Sequence, residues 1–203
     1  MKIIKSAFPL VIALFLTYAM NQSWGTIPPI GKIFSPFHGF WMNAESPESG
    51  EPTEETLQIS GLHQPVQVVY DEMGVPHVFA QDDHDLYLAQ GYLTAKDRLW
   101  QMELMRRIAP GRLSEIFGNP TLKTDKFFVG LGIDENSKQA VANLDPNSQT
   151  YILANAYLDG INQYIENGTT PVEFRLLDIE KEKFTLKDVY NIFGFMTFSF
   201  AMA

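Results

Sequence analysis

The segment IFGFMTFSFAMA, residues 192–203, is apolar on nearly every face, and this feature limits the fold more than any other. A helix without a polar face has to be covered on all sides. The residues before it supply a clear helical start, because Thr185 and Asp188 are spaced as a capping-box pair. A helix from Thr185 onward therefore predicts contact with more protein than the 203-residue chain provides.

The run GYLTAKDRLWQMELMRRIAPGRLSEIFG, residues 91–118, poses the converse problem: Lys96, Asp97, Arg98, Glu103, Arg106 and Arg107 sit among Leu99, Trp100, Met102, Leu104 and Met105. The spacing predicts a helix over 86–109, started by Asp82 and Asp83 as caps, bent near Gly91 and stopped by Pro110-Gly111. On that helix Glu103 faces Arg106 and Arg107 at three and four residues, and Asp97 adjoins Arg98. Charges interleaved with large apolar side chains need partners rather than water. Asp97, Arg98, Glu103 and Arg107 are thus expected as paired charges at a packed surface.

Upstream, VQVVYDEMGVPHVFA reads as a hairpin: Val66, Val68 and Tyr70 alternate with Gln67 and Val69, residues 71–74 carry turn chemistry, and residues 75–80 resume a strand. Pro76 demotes that second strand to an edge or to a strand start. Downstream, Ile152, Ala156, Ile161 and Ile165 share a helical face that ends at Asn167-Gly168. The fold class is α+β, mostly helical with a β-hairpin.

The chain start reads differently. Lys2 and Lys5 precede an uncharged run over residues 6–20, the pattern of a secretory signal peptide or an N-terminal membrane anchor over 1–25. Residues 26–58 form a Pro/Gly/Glu-rich arm or linker, whose Phe34, Phe37, Phe40 and Trp41 are expected against the folded body or a membrane surface. Residues 59–203 are the folded region. With 45% hydrophobic residues that region can bury a core. A net charge of -9 with only 15 Lys and Arg excludes nucleic acid as a partner. The absence of cysteine removes disulfides, thiolate metal sites and a cysteine nucleophile together.

No complete catalytic set is visible. His38, His63, His77 and His84 fall on separate segments, with no pair at metal-binding helical spacing, so no metal ligand is assigned. GLG at 130–132 lacks the third glycine of a dinucleotide fingerprint and reads as a turn. No G-x-S-x-G elbow or phosphate loop occurs.

Three motifs carry a resemblance: D-E-x-G-V-P-H at 71–77, G-Y-x-x-A-x-D-R-L-x-Q-M-E at 91–103, and R-x-x-x-G-R-L-S-E at 107–115. The stretch they occupy, 66–118, resembles the start of the α-chain of the penicillin acylase family, and the likeness resumes more weakly over 145–203. These are N-terminal nucleophile (Ntn) hydrolases. The resemblance implies a precursor folded as an αββα sandwich that cuts itself into α- and β-chains and hydrolyses a small-molecule amide. An N-terminal serine of the β-chain attacks, its own α-amino group acts as base, and a β-chain oxyanion hole stabilises the intermediate. All these groups would lie beyond Ala203, so no catalytic residue is assigned here, the β-chain is the expected partner, and the chain alone is expected to be inactive.

The resemblance also implies that the last helix lines the acyl pocket. The family's Met-Ala-x-Arg-Phe segment falls on Thr197, Phe198, Ser199, Phe200 and Ala201, which keep neither its arginine nor its phenylalanine in register. Met196, Phe198 and Phe200 are the candidate substrate-binding residues, with ordinary core packing as the competing role. The family's calcium belongs to the complete enzyme, and no cofactor is assigned to this chain. Exported β-lactam acylase and acyl-homoserine lactone acylase are equally compatible readings. The alternative from another class is a membrane-anchored, non-catalytic binding or scaffold module with the same fold.

Overall fold

The chain folds mostly as helix with one small antiparallel sheet, in a computed structural model that describes residues 2–25, 27–35, 39, 54–55 and 59–202, the side chains of 2–7 and 54–55 excepted. His38, Phe37, Phe40 and Trp41 lie outside these residues. Two units are present, one of Met1–Ser46 with Thr170–Glu180 and one of Pro47–Thr169 with Lys181–Ala203.

In the smaller unit, α1 (Lys2–Met20) runs through Pro9 and exposes Phe8, Leu10, Val11, Leu14, Phe15 and Tyr18. Among the described residues no helix is long and apolar enough to cross a membrane. Trp24 Nε1 donates to Ala19 O at 2.8 Å, turning the chain at the helix end. A 3-10 turn at Ile30–Lys32 and the short helix α7 (Val172–Leu177) are joined by the Lys32–Asp178 ion pair at 2.9 Å. Phe34 is exposed.

The larger unit begins with the sheet β1 (Glu54–Glu55), β2 (Gln67–Tyr70) and β3 (Pro76–Phe79), in that order. Val68 pairs with Val78 in the β2–β3 hairpin. Pro76 opens β3, which is an edge strand, as a residue without an N–H requires. Asp71 organises the turn, its Oδ1 accepting from Met73 N and Val75 N at 2.9 Å each, and Gly74 takes a left-handed φ of 73°. Glu54–Glu55, within the arm, pairs with β2 as a third strand beside the hairpin.

Helix α2 (Asp83–Ile108) starts at Asp82, whose Oδ1 accepts from Asp85 N at 2.9 Å. Its irregularity lies at Arg98 (φ -133°, ψ 17°) and not at the expected Gly91. Gly91 serves a different purpose. A Cβ there would overlap Tyr157 O of α6 (Gln149–Asn167), and a Cβ on Gly160 of α6 would overlap Leu88 O. Two facing glycines thus let the α2 and α6 backbones touch. Ile59, Leu88, Ala89 and Ala156 form the core beside this crossing, with Leu62, Val66, Val78 and Tyr92 packed on it. Ile161 and Ile165 are buried as expected, whereas Ile152, a turn before the crossing, is 49% exposed.

After α2 come α3 (Ser114–Phe117), α4 (Leu122–Leu131) and α5 (Ile133–Ala142). The GLG turn resolves to Gly132 alone, at φ 70° between α4 and α5. The last helix, α8 (Leu186–Met202), packs chiefly on α5 and also on α2 and α6.

Candidate functional site

The entry to α8 is held from three directions. Thr185 N and Oγ1 donate to Asp188 Oδ2 at 2.8 and 2.6 Å, and Asp188 N donates back to Thr185 Oγ1 at 3.4 Å, closing the capping box. Asn162 of α6 clamps the Phe184 backbone, donating to its carbonyl at 3.0 Å and accepting from its N–H at 2.8 Å. Arg106 of α2 donates to Lys183 O at 3.2 Å and lies over the Phe184 ring at 4.5 Å.

Arg106 in turn belongs to a buried charge network. Glu103, 1% exposed, takes Arg106 Nε on one carboxylate oxygen and Arg107 Nε on the other, each at 2.6 Å. Arg107 continues to Glu115 at 2.6 Å, and Glu115 also receives Arg112. The Arg112 hydrogen bond, with the nearby guanidinium charges, holds the Glu115 carboxyl below its ordinary pKa against partial burial. The expected Glu103–Arg107 pairing is present, with Arg106 as the second partner. Asp97 and Arg98 lie at exposed positions rather than at a buried surface, and Lys96 reaches the Tyr70 ring at 5.7 Å.

Along α8, Lys187 Nζ and Asn191 Nδ2 donate to Asp134 of α5 at 2.9 and 2.8 Å. Burial raises the Asp134 pKa, but these two donors outweigh it and leave the group lowered. Asn191 Oδ1 is buried without a hydrogen-bond partner among the described residues. One turn further Gly194 fits against Ile133. Beyond it, Phe195 and Phe198 join Phe128, Ala109 and Ile133 in a second core, with Phe198 5.9 Å from both Phe127 and Phe128.

The three residues singled out on α8 therefore part company. Phe198 points into the aromatic core, while Met196 (46% exposed) and Phe200 (78%) share the opposite face with Phe193 (68%). That face is an open apolar stripe. Two grooves of this unit, one of about 550 Å³ among α2, α6 and the start of α8 and one of about 570 Å³ between β3 and α2, are lined by none of the three.

A separate cluster brings together histidines that the sequence scatters. His63 and His84 stack with centroids 4.4 Å apart and planes at 18°. His63 Nδ1 lies 3.0 Å from Asp82 Oδ2, and His84 Nδ1 lies 3.1 Å from Asp85 Oδ1. Asp85 is fully buried and also accepts from His63 N and Gln64 N. The Asp82 hydrogen bond raises the His63 pKa, and Asp82 is lowered first by the Asp85 N–H and then by His63. The D-D-H-D run at 82–85 is dense in ligand atoms, but nothing in spacing announces that His63 folds back on it. His77 pairs with Asp71 at 3.2 Å. Among the described residues each imidazole is thus bonded to an aspartate and none to a hydroxyl.

The family model described as Penicillin amidase matches residues 65–203. The chain is 36% identical over 132 residues to the penicillin acylase 2 proenzyme of Pseudomonas sp. (strain SE83), covering 64% of this chain and 17% of that protein. It is 31% identical over 134 residues to the penicillin G acylase of Escherichia coli, covering 63% and 16%. It is also 28% identical over 166 residues to the acyl-homoserine lactone acylase QuiP of Pseudomonas syringae pv. syringae (strain B728a), covering 81% and 20%. The chain therefore spans a fifth or less of the length of these curated relatives. Among solved structures it is similar to a thermostable penicillin G acylase from Alcaligenes faecalis, with TM-score 0.60 and 31% identity over 69% of this chain and 76% of that one.

Proposed function

The chain belongs to the penicillin amidase family, and from that membership we propose that it is the N-terminal, α-side part of an amide hydrolase whose nucleophile lies on a following β-chain. The open stripe of α8 is the observation that carries this reading. A helix fixed at its start by Asn162, Arg106 and a capping box, packed on one face and bare on the other, is a wall awaiting a second wall. The proposed role of Met196 and Phe200 is to face the acyl group of the substrate, with Phe198 supporting them from behind.

In this reading the β-chain supplies the N-terminal serine, the amine that acts as its base and the oxyanion donors. The α-side supplies apolar surface and rigidity. The lysine-flanked apolar α1, with its exposed side chains, supports export or membrane attachment of the protein.

Calcium, which the family resemblance implies, does not fit the residues described. Among them the group able to hold a metal is His63, Asp82, His84 and Asp85, and calcium takes six to eight oxygen ligands rather than imidazoles. No step is assigned to it.

The test compares the chain alone with a product extended along its coding frame, using chromogenic acyl-amides. No turnover by the chain, and turnover by an extended product that is lost when the β-chain serine becomes alanine, are the expected results. Hydrolysis by the purified chain overturns the proposal. An extended frame without such a serine, together with binding of amides but no turnover, replaces it with the non-catalytic module.

A further inference from the structure

We propose that His63, Asp82, His84 and Asp85 form a binding site for a divalent transition metal of the zinc class, independent of the catalytic reading. One ligand atom from each residue lies within 4.8 Å of the other three. In a four-coordinate zinc site with bonds of about 2.0–2.1 Å, ligand atoms stand about 3.3 Å apart. His63 Nδ1 to Asp82 Oδ2 is 3.0 Å, His63 Nδ1 to Asp85 Oδ1 is 3.8 Å, and His84 Nδ1 to Asp85 Oδ1 is 3.1 Å. These separations bracket the required one.

The two carboxylates hold their places through backbone N–H groups. Asp82 caps α2 through Oδ1, so Oδ2 is the oxygen turned to the histidines. Asp85 takes the His63 N–H on both oxygens, at 2.9 Å on Oδ1 and 3.0 Å on Oδ2, and the Gln64 N–H on Oδ2 at 2.8 Å, a clamp that fixes the carboxylate with Oδ1 facing both imidazoles. Without a metal, each His–Asp contact needs a proton on Nδ1. A dication replaces those protons and offsets the two carboxylate charges.

The two imidazoles stand 4.4 Å apart and nearly parallel, so the rings must turn out of their stack for one ion to lie in the plane of both. Two nitrogen and two oxygen donors suit zinc, cobalt or nickel and not magnesium or calcium. Access is open, since the His63 side chain is 60% exposed while the Asp85 carboxylate beneath it is buried.

A bound ion would fasten the segment around His63 to the start of α2, so metal and stability are coupled. Titration of the full chain with zinc chloride in chelator-free buffer, by calorimetry, is expected to show one saturable site. His63→Ala and His84→Ala should each weaken it at least tenfold and abolish the zinc-dependent rise in Tm, while His77→Ala should change neither. If His84→Ala does not fold, the exposed His63→Ala decides alone. Absence of saturable binding, equal binding by His63→Ala, an equal loss in His77→Ala, or displacement of zinc by calcium would each overturn the site.

Discussion

Glu103 has an arginine on each carboxylate oxygen, and almost no water reaches any of the three groups. Removing it leaves two buried guanidinium charges short of a partner, so Glu103→Ala should cost about 3–5 kcal/mol in chemical denaturation. Arg98→Ala, at an exposed position of the same helix, should stay within about 0.5 kcal/mol. Equal small losses would mean the network is solvated. The pairing within α2 was legible because three- and four-residue spacing is a property of any helix. Glu115 and Asn162 were not, since their partners come from other elements, and the placement of His63 against His84 depends on a return of the chain that no local pattern encodes.

At the scale of elements, α3 has no side-chain cap of its own, and Asp125 of α4 replaces it, accepting from Leu113 N at 2.8 Å and Ser114 N at 2.7 Å. Burial pushes the Asp125 carboxyl up, but the Ser114 and Leu113 donors together bring it below its ordinary value. A lowered folded-state pKa means that the contribution is complete above the unfolded value near 3.9 and is lost as pH falls through the folded one. Asp125→Asn should therefore cost about 1–3 kcal/mol at neutral pH, with the difference from the parent vanishing toward pH 2 in pH-dependent melts. A constant difference across that range would assign the effect to packing. The hairpin, the Asp82 cap, the Thr185–Asp188 capping box and the stops of α2 and α6 are readable because each is chemistry within a few residues. The break in α2 was misplaced because glycine signals both flexibility and close approach, and only tertiary contact tells which.

For the molecule as a whole, the two faces of α8 should respond oppositely to substitution. Phe198→Ala should lower Tm, its cost in stability being somewhat less than the roughly 3–5 kcal/mol of a fully enclosed phenylalanine, because it empties part of the aromatic core. Phe200→Ser should leave Tm unchanged while reducing hydrophobic-dye fluorescence and self-association at sedimentation equilibrium. Identical behaviour would deny that the helix has an inner and an outer face. The apolar composition of α8 was plain in the sequence, but which of its aromatics turn inward was decided by α4 and α5, and apolar side chains carry no mark of their destination. The crossing of Gly91 and Gly160 has a last consequence, for anyone redesigning this protein. Side chains set the spacing of most helix pairs and can be exchanged for others of similar bulk. Here the spacing is set by main chain against main chain, so the crossing is a fixed datum: libraries can vary every surrounding face, while even one methyl group at either glycine has to move a whole helix.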